Sequence, residues 1–247
     1  MADIIVSAFE QAIKLIVSGN SEVYSTVYRS IYVAGLGTLL SCVWSIPIAV
    51  AIGLYNFRGK WVIKGFFNAL IGIPTVALGL LLFLLFFRQG ELASLHLIYT
   101  LNGIAVGQAI LVTPIIVSFT SNALGSADTQ LRDLAKTLGA SGFRTNLSLI
   151  RETVWSIVLS LTAAFNRGFG ELGIASIVGG NFTGETRVLT TAIATEIDFG
   201  SFDVAMAYAI ILIAIVLAIA LTISLIERLR QEQSWGKLSF WRGIGGS

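Results

Sequence analysis

Residues 204–226 read VAMAYAIILIAIVLAIALTISLI, an apolar run of 23 residues without a single charged side chain. A helix needs about 20 apolar residues to cross the hydrocarbon core of a bilayer. The whole chain is 55% hydrophobic and 12% charged, whereas soluble domains carry about 25% charged residues. The sequence therefore predicts an all-α integral membrane protein, and residues 204–226 are the clearest of its spans.

Four further stretches are long and apolar enough to cross a membrane, although residues 153–178 contain Arg167 and Glu171. We predict five transmembrane helices in a single membrane-spanning domain over residues 1–247, because no linker-like run divides the chain. The predicted spans are residues 30–55, 65–87, 101–121, 153–178 and 204–226. Pro47, Pro74 and Pro114 fall inside the first three, where we expect kinked helices.

The charges in the loops support five spans and predict their orientation. Loops 56–64 and 121–152 and the tail 227–247 would share one side and carry eleven Lys and Arg residues, against four on the other side. Without the fourth span this asymmetry is lost. Because cytoplasmic loops are enriched in Lys and Arg, we expect the N-terminus outside and the C-terminus in the cytoplasm, in a multi-pass protein of the plasma (inner) membrane.

Residues 1–18 are too short to cross but have helical periodicity, with apolar Ile5, Phe9, Ala12, Ile13 and Ile16. This pattern is typical of an amphipathic helix that lies in the outer interface of the membrane. A helix packed on the first span would have the same pattern, and both interpretations stay open.

Residues 133–150, DLAKTLGASGFRTNLSLI, are charged and water-compatible, unlike the stretches on either side. Leu131, Leu134, Ala135 and Leu138 recur at helical spacing, and Gly139 follows them at the position where helices end. Ser141 can cap a second short helix, with Phe143, Leu147 and Ile150 on one side. We predict a helix–glycine–helix loop over residues 127–150.

The stretch DLAKTLGAS resembles the EAA loop of ABC importer permeases, in which a Glu-Ala-Ala triplet precedes a glycine by three residues. The end differs from the family pattern, because Arg151 and Glu152 stand where Leu and Pro are usual. The resemblance implies that this loop couples the permease to a separate ATPase subunit. The residues it assigns to that contact are Leu131, Asp133, Leu134, Ala135, Leu138, Gly139, Ala140 and Ser141. An amphipathic helix resting on lipid headgroups is the alternative.

The chain has no recognisable nucleotide-binding motif of its own. The nearest stretch, GLYNFRGKW, has the wrong spacing for a P-loop and carries Trp61 where a hydroxyl should bind magnesium. We therefore expect a transport subunit that is not an enzyme and binds no cofactor, with ATP and magnesium on a partner. Cys42 and His96 are the only residues of their types, so no metal site is predicted.

Residues 165–202 contain GELG, VGGN and TRVLTTAI. This pattern resembles tungstate-type permeases, relatives of the molybdate and sulfate permeases, and the resemblance extends over nearly the whole chain. It implies an importer of a tetrahedral oxyanion, most directly tungstate. It also implies a homodimer, two ABC ATPase subunits and an extracytoplasmic oxyanion-binding protein as partners.

Arg167 is the only cation within a predicted span, and ionisable groups in membrane segments indicate function. Glu171 is four residues away and can simply neutralise it; we leave the two interpretations open. Weak donors for an anion could come from the following loop, where ordinary turn and cap chemistry is the alternative. The residues predicted for the translocation pathway are Arg167, Glu171, Asn181, Thr183, Arg187, Thr190 and Thr191.

Two other function classes receive less support. A membrane-embedded enzyme needs clustered His, Asp, Ser or Cys, which the sequence lacks. An ATP-independent anion carrier or channel is the other alternative, but no internal inverted repeat is apparent. The net charge of +2 gives no reason to expect a nucleic-acid partner; membrane lipid is the expected surrounding.

Overall fold

The computed structural model describes residues 2–126, 137 and 141–244. Within them the chain is helical, with ten α-helices, a 3-10 turn at Ala93–Leu95 and no β-strand. In chain order the α-helices are α1 (Ala2–Val17), α2 (Ser21–Leu54), α3 (Lys60–Leu70), α4 (Thr75–Phe86), α5 (Leu101–Ser126), α6 (Gly142–Glu152), α7 (Val154–Phe169), α8 (Gly173–Gly179), α9 (Leu189–Asp198) and α10 (Phe202–Ile244).

Three helices of the described chain are long and apolar enough to cross a membrane: α2, α5 and the Phe202–Ile226 part of α10. Two bent pairs meet the same criteria when each is counted as one span, α3 with α4 and α6 with α7. Length and composition thus give three spans, or up to five, which is compatible with the predicted number.

Helix α5 forms the centre of the bundle and packs against α2, α7 and α8. Its contact with α2 is close enough to need glycine: a Cβ on Gly37 would lie 3.0 Å from the Ala105 carbonyl oxygen, and one on Gly53 would lie 2.7 Å from the Leu124 Cβ. Small residues at such crossings let helices in a membrane approach closely. Fully buried Ile104 and Ile116 fill the core along α5.

The second predicted span, 65–87, is not one helix. Helix α3 ends at Leu70, α4 begins at Thr75, and the two meet at 95°. Pro74 explains the break, because it has no amide hydrogen and the residue before a proline avoids helical conformation. Pro47 and Pro114 lie inside uninterrupted helices, so the three prolines, alike in the sequence, differ in effect.

The fourth predicted span, 153–178, also differs from a single helix. Helix α7 ends at Phe169, and the short α8 begins only at Gly173. The helix of this span instead joins α6 before it, through a bend of 56°. Gly168 and Gly170 favour the end of α7, since glycine weakens a helix, and Glu171 then starts α8 as described below.

The N-terminal helix α1 packs mainly against α10, the last helix, and also contacts the start of α2, where the Tyr24 hydroxyl donates to the Ile16 carbonyl oxygen at 2.9 Å. Ala8 and Ala12 are buried, whereas Ile5, Phe9 and Ile13 are each about half exposed. Ala12 therefore does not share the exposed apolar face, because its small side chain suits the contact between helices. The other three keep an apolar face directed away from the bundle.

Most of the predicted coupling loop lies outside the described residues: Leu131, Asp133, Leu134, Ala135, Leu138, Gly139 and Ala140. Ser141 caps α6, as predicted, with its Oγ accepting a hydrogen bond from the Arg144 amide at 3.5 Å. Of the apolar residues predicted on one side of α6, Phe143 is 77% exposed, whereas Ile150 packs against a cluster of Leu54, Leu124 and Leu149. Leu149 of α6 is buried in this cluster, which lies at the ends of α2 and α5.

Candidate functional site

A cavity of about 520 Å³ lies where the two broken helical segments meet. The start of α4, the end of α7 and the start of α8 form its walls. It is lined by Thr75, Val76, Arg167, Gly170, Glu171, Leu172, Gly173, Ser176 and Ile177. Val76 is 62% exposed, so the cavity is open on one side.

Arg167 and Glu171, predicted from the sequence, meet in this cavity. The Arg167 Nη1 donates to the Glu171 Oε2 at 2.7 Å. The two side chains differ in burial: that of Arg167 is 37% exposed and that of Glu171 only 2%. The pair is therefore one-sided, with its carboxylate buried and its guanidinium reaching the open space.

The carboxylate of Glu171 also starts α8. Its Oε1 accepts hydrogen bonds from the amides of Gly173, at 2.8 Å, and Ile174, at 3.3 Å. The Thr190 Oγ1 donates to the Glu171 carbonyl oxygen at 2.8 Å and so fixes the backbone at this residue. Glu171 is held from three directions, whereas the guanidinium of Arg167 is held by one hydrogen bond to Glu171.

Helix α4 begins at the same cavity without a side-chain cap, since its N-cap residue is Pro74. Gly173 keeps this helix end accessible, because a Cβ there would lie 2.9 Å from the Thr75 Oγ1 and 3.0 Å from the Val76 amide nitrogen. Uncapped amides at the start of a half-helix attract anions, and transporters use such broken helices to bind anionic substrates. With Arg167 beside them, the cavity can accept an anion.

The other predicted pathway residues lie in the loop between α8 and α9 and at the start of α9, and the structure gives them local contacts. The Asn181 Nδ2 donates to the Thr195 Oγ1 at 2.6 Å, and Asn181 has a left-handed φ of 54°. The Thr191 Oγ1 accepts from the Val188 amide at 3.0 Å and so caps α9. Thr183 is exposed. None of this group is among the residues that line the cavity, and Thr190 is linked to it only through its hydrogen bond to the Glu171 carbonyl oxygen.

Arg29, one residue before the first predicted span, is a buried cation. It lies inside α2 and is 7% exposed. Its Nε donates to the Arg187 carbonyl oxygen at 2.8 Å and its Nη1 to the Gly184 carbonyl oxygen at 3.0 Å. The cap residue Asn20, which accepts from the amides of residues 22 and 23, was the one sequence signal that α2 begins before Arg29.

Residues 45–231 match the family described as "Binding-protein-dependent transport system inner membrane component". The chain belongs to this family. It is 32% identical over 215 residues to the "Tungstate uptake system permease protein TupB" of Peptoclostridium acidaminophilum, covering 87% of this chain and 94% of the relative. It is 35% identical over 195 residues to the "Probable anion ABC transporter permease protein" of Haloferax volcanii, covering 77% and 84%.

Among solved structures, the fold is similar to that in "Inward facing conformations of the MetNI methionine ABC transporter: CY5 native crystal form". The TM-score is 0.65 at 16% identity, covering 84% of this chain and 95% of that chain. The likeness shows a type I ABC importer permease fold. The chain is thus a multi-pass permease subunit of the inner membrane, in a family in which a separate subunit hydrolyses ATP.

Proposed function

We propose that this permease forms the membrane passage of an ATP-driven importer for a tetrahedral oxyanion, with tungstate as the first candidate and molybdate or sulfate as alternatives. The observation that carries the proposal is the cavity at the break between α3 and α4, where Arg167 faces open space. The names of the relatives support the same substrate class, since one is a tungstate permease and another an anion permease.

The cavity suits an anion that must be released again. A tetrahedral dianion meets one guanidinium, the hydroxyls of Thr75 and Ser176 and the uncapped start of α4. Arg167 already has a carboxylate partner at 2.7 Å, so its attraction for a second anion is reduced. We propose Arg167 and Glu171 as the pathway pair. The region between α8 and α9 that supports this pair is shaped by the other predicted residues: Asn181, Thr183, Arg187, Thr190 and Thr191.

We further propose five spans, with the N-terminus outside and the C-terminus cytoplasmic. The excess of cations in loops 56–64 and 121–152 and in the tail supports this orientation. Two copies of the chain would form one passage between them, so that two Arg167 side chains serve one pathway. We propose two ATPase subunits and an extracytoplasmic binding protein as the remaining partners, and the family description supports these two kinds of partner.

Loop 127–150 is the proposed contact with the ATPase. Its described end supports this role: Phe143 on α6 is 77% exposed, although α6 is anchored to the bundle through Leu149. ATP binding would draw the ATPase subunits together and move these loops, which would rock the helices above them. The proposed contact residues are Leu131, Asp133, Leu134, Ala135, Leu138, Gly139, Ala140 and Ser141.

The coupling proposal is tested by Gly139→Asp in the assembled complex. A side chain and a charge at this corner would prevent close contact with the ATPase, so we expect uptake and substrate-stimulated ATP hydrolysis to be lost while insertion into the membrane is normal. Ser126→Asp, at the end of α5, is a matched control for an added charge. Normal uptake by the Gly139→Asp complex would contradict the coupling role.

The substrate proposal is tested by uptake into proteoliposomes that contain the permease, its ATPase and its binding protein. We expect ATP-dependent uptake of tungstate, with molybdate and sulfate measured in parallel to rank the three oxyanions. Uptake without ATP would indicate a carrier or channel instead. A complex that hydrolyses ATP but transports none of the three would contradict the proposed substrate class.

A further inference from the structure

The carboxylate of Glu171 occupies the position at which an anion would be best held. It receives one hydrogen bond from the guanidinium of Arg167 and two from backbone amides. The position of a Cβ on Gly173 is also revealing, since it would lie 3.2 Å from the Glu171 Oε1 as well as close to the Thr75 Oγ1. The carboxylate thus lies beside the start of α4, in a small space that any larger residue at 173 would fill.

Arg167 is the member of the pair that can change partner. A guanidinium has five N–H donors in a fork that matches the oxygens of an oxyanion, and one of these donors is engaged with Glu171. Its side chain is 37% exposed toward the cavity, whereas Glu171 is nearly inaccessible. When Arg167 turns toward an entering anion, Glu171 keeps its bonds to the amides of Gly173 and Ile174.

We infer that Glu171 is a tethered competitor of the transported oxyanion for Arg167, which keeps the affinity of the passage low so that the anion is released. This inference rests on the proposed function, and it identifies Glu171 as the residue that lowers the affinity of the proposed anion site. A dianion wins the guanidinium only while it is in the cavity, because it brings more charge than a carboxylate. Once Arg167 is shared, repulsion from the nearby Glu171 charge favours departure of the anion.

The alternative role for Glu171 is purely structural, as the cap of α8 and the partner that neutralises Arg167. The variant Glu171→Gln separates the two roles. The amide of glutamine has nearly the same shape, and its oxygen can still accept from the Gly173 amide, so the cap is retained. The negative charge is lost, which leaves Arg167 without a competing anion.

The experiment measures binding of sodium tungstate by calorimetry to the complex of permease and ATPase in nanodiscs, without the binding protein. We expect Glu171→Gln to bind tungstate at least about tenfold more tightly than the wild type and to take it up more slowly, because the anion is retained. Glu185→Gln is the matched control, since Glu185 is exposed in the loop between α8 and α9 and the same charge is removed outside the cavity. We expect its affinity to equal that of the wild type.

A second variant covers the case in which Glu171→Gln does not assemble. Glu171→Asp keeps a favoured capping residue but withdraws the carboxylate from Arg167 by one methylene group. We expect a smaller rise in tungstate affinity, about two- to fivefold. Unchanged or weaker binding in an intact Glu171→Gln complex, or in Glu171→Asp where only that variant assembles, would overturn the inference.

The uptake assay distinguishes this failure from failure of the proposed function. If the wild type imports tungstate and Glu171→Gln binds it no more tightly, Glu171 is only a cap and the transport proposal stands. If the wild-type complex imports none of tungstate, molybdate and sulfate, the proposed function fails and the inference fails with it.

Discussion

Arg29 and Arg167 both lie in helices of a strongly apolar chain, but their surroundings differ. Arg29 is 7% exposed and donates to the carbonyl oxygens of Gly184 and Arg187 and to the Thr26 hydroxyl, with Glu22 at 3.4 Å. Arg167 is bonded to one carboxylate and faces a cavity. A cation that satisfies backbone carbonyls cannot leave them without disturbing the loop, whereas a cation beside open space can exchange partners. Burial of charge alone therefore does not identify a transport residue.

The largest effect is expected for Arg29→Leu. The substitution leaves the Gly184 and Arg187 carbonyl oxygens without their buried donor and Glu22 without its ion-pair partner. Removing one partner from such a network costs about 3–5 kcal/mol, so we expect a much lower melting temperature and yield of the purified complex. Arg29→Lys keeps the charge but not the forked set of guanidinium donors, so its melting temperature should lie between those of the wild type and Arg29→Leu. A wild-type melting temperature for Arg29→Leu would show that the network is not structural.

The double variant Arg167→Gln/Glu171→Gln tests the other arginine. Both charges are removed together, so no unpaired charge stays buried, and we expect stability within about 1 kcal/mol of the wild type. Uptake of oxyanion should fall at least about 100-fold, or about 2.7 kcal/mol, because the cavity has lost its cation. Thermal unfolding and proteoliposome uptake measured on the same preparation check both parts. Uptake at the wild-type rate would mean that the Arg167–Glu171 pair has no role in transport and is only structural, as we expect for the contacts of Arg29.

The two arginines also show how far the sequence could be read. The spacing of four residues predicts that Arg167 and Glu171 can meet, and the structure brings them to 2.7 Å. The cavity could not be predicted, because Thr75 and Val76 reach it from a different part of the chain. Arg29 was placed outside the first span because its charge ends the apolar run. Its carbonyl partners lie more than 150 positions away along the chain.

Some features of the helices can likewise be predicted from the sequence, whereas others depend on packing. Long apolar runs predict α5 and the membrane part of α10 well, since run length alone decides them. Each of the three prolines predicts a kinked helix, but only Pro74 coincides with a break between helices. Which proline breaks its helix depends on packing: α3 rests on α5, while α4 packs mainly on α8. A single sequence does not contain these contacts in a readable form.

Gly173→Ala should have an intermediate effect on stability and uptake, and it tests whether the space beside Gly173 belongs to the anion site. The added methyl group would lie 2.9 Å from the Thr75 Oγ1 and 3.0 Å from the Val76 amide, so it fills the space beside Arg167. We expect a cost of about 1–3 kcal/mol and a fall in uptake of about tenfold. The control Gly35→Ala meets nothing within 4 Å and should be neutral or slightly stabilising. Equal uptake by the two variants would remove Gly173 from the site.

The smallest effect is expected for Thr191→Val, in the first turn of α9, which follows the loop held by Arg29. Its hydroxyl caps α9 through the Val188 amide at 3.0 Å. Loss of a cap costs about 1 kcal/mol, so the melting temperature should fall slightly, and uptake by the folded protein should stay within about twofold of the wild type. A large loss of uptake at unchanged stability would move Thr191 into the pathway.

The break before Thr75 has a consequence for the chain on its own. None of the residues of α3 is buried within one copy, and the first turn of α4 has no side-chain cap. Acyl chains offer no hydrogen bonds, and each bare amide facing them costs several kcal/mol. A single copy surrounded by lipid would therefore leave the amides at the start of α4 without hydrogen-bond partners. The face that α3 and the start of α4 form is best stabilised by contact with water or with another protein.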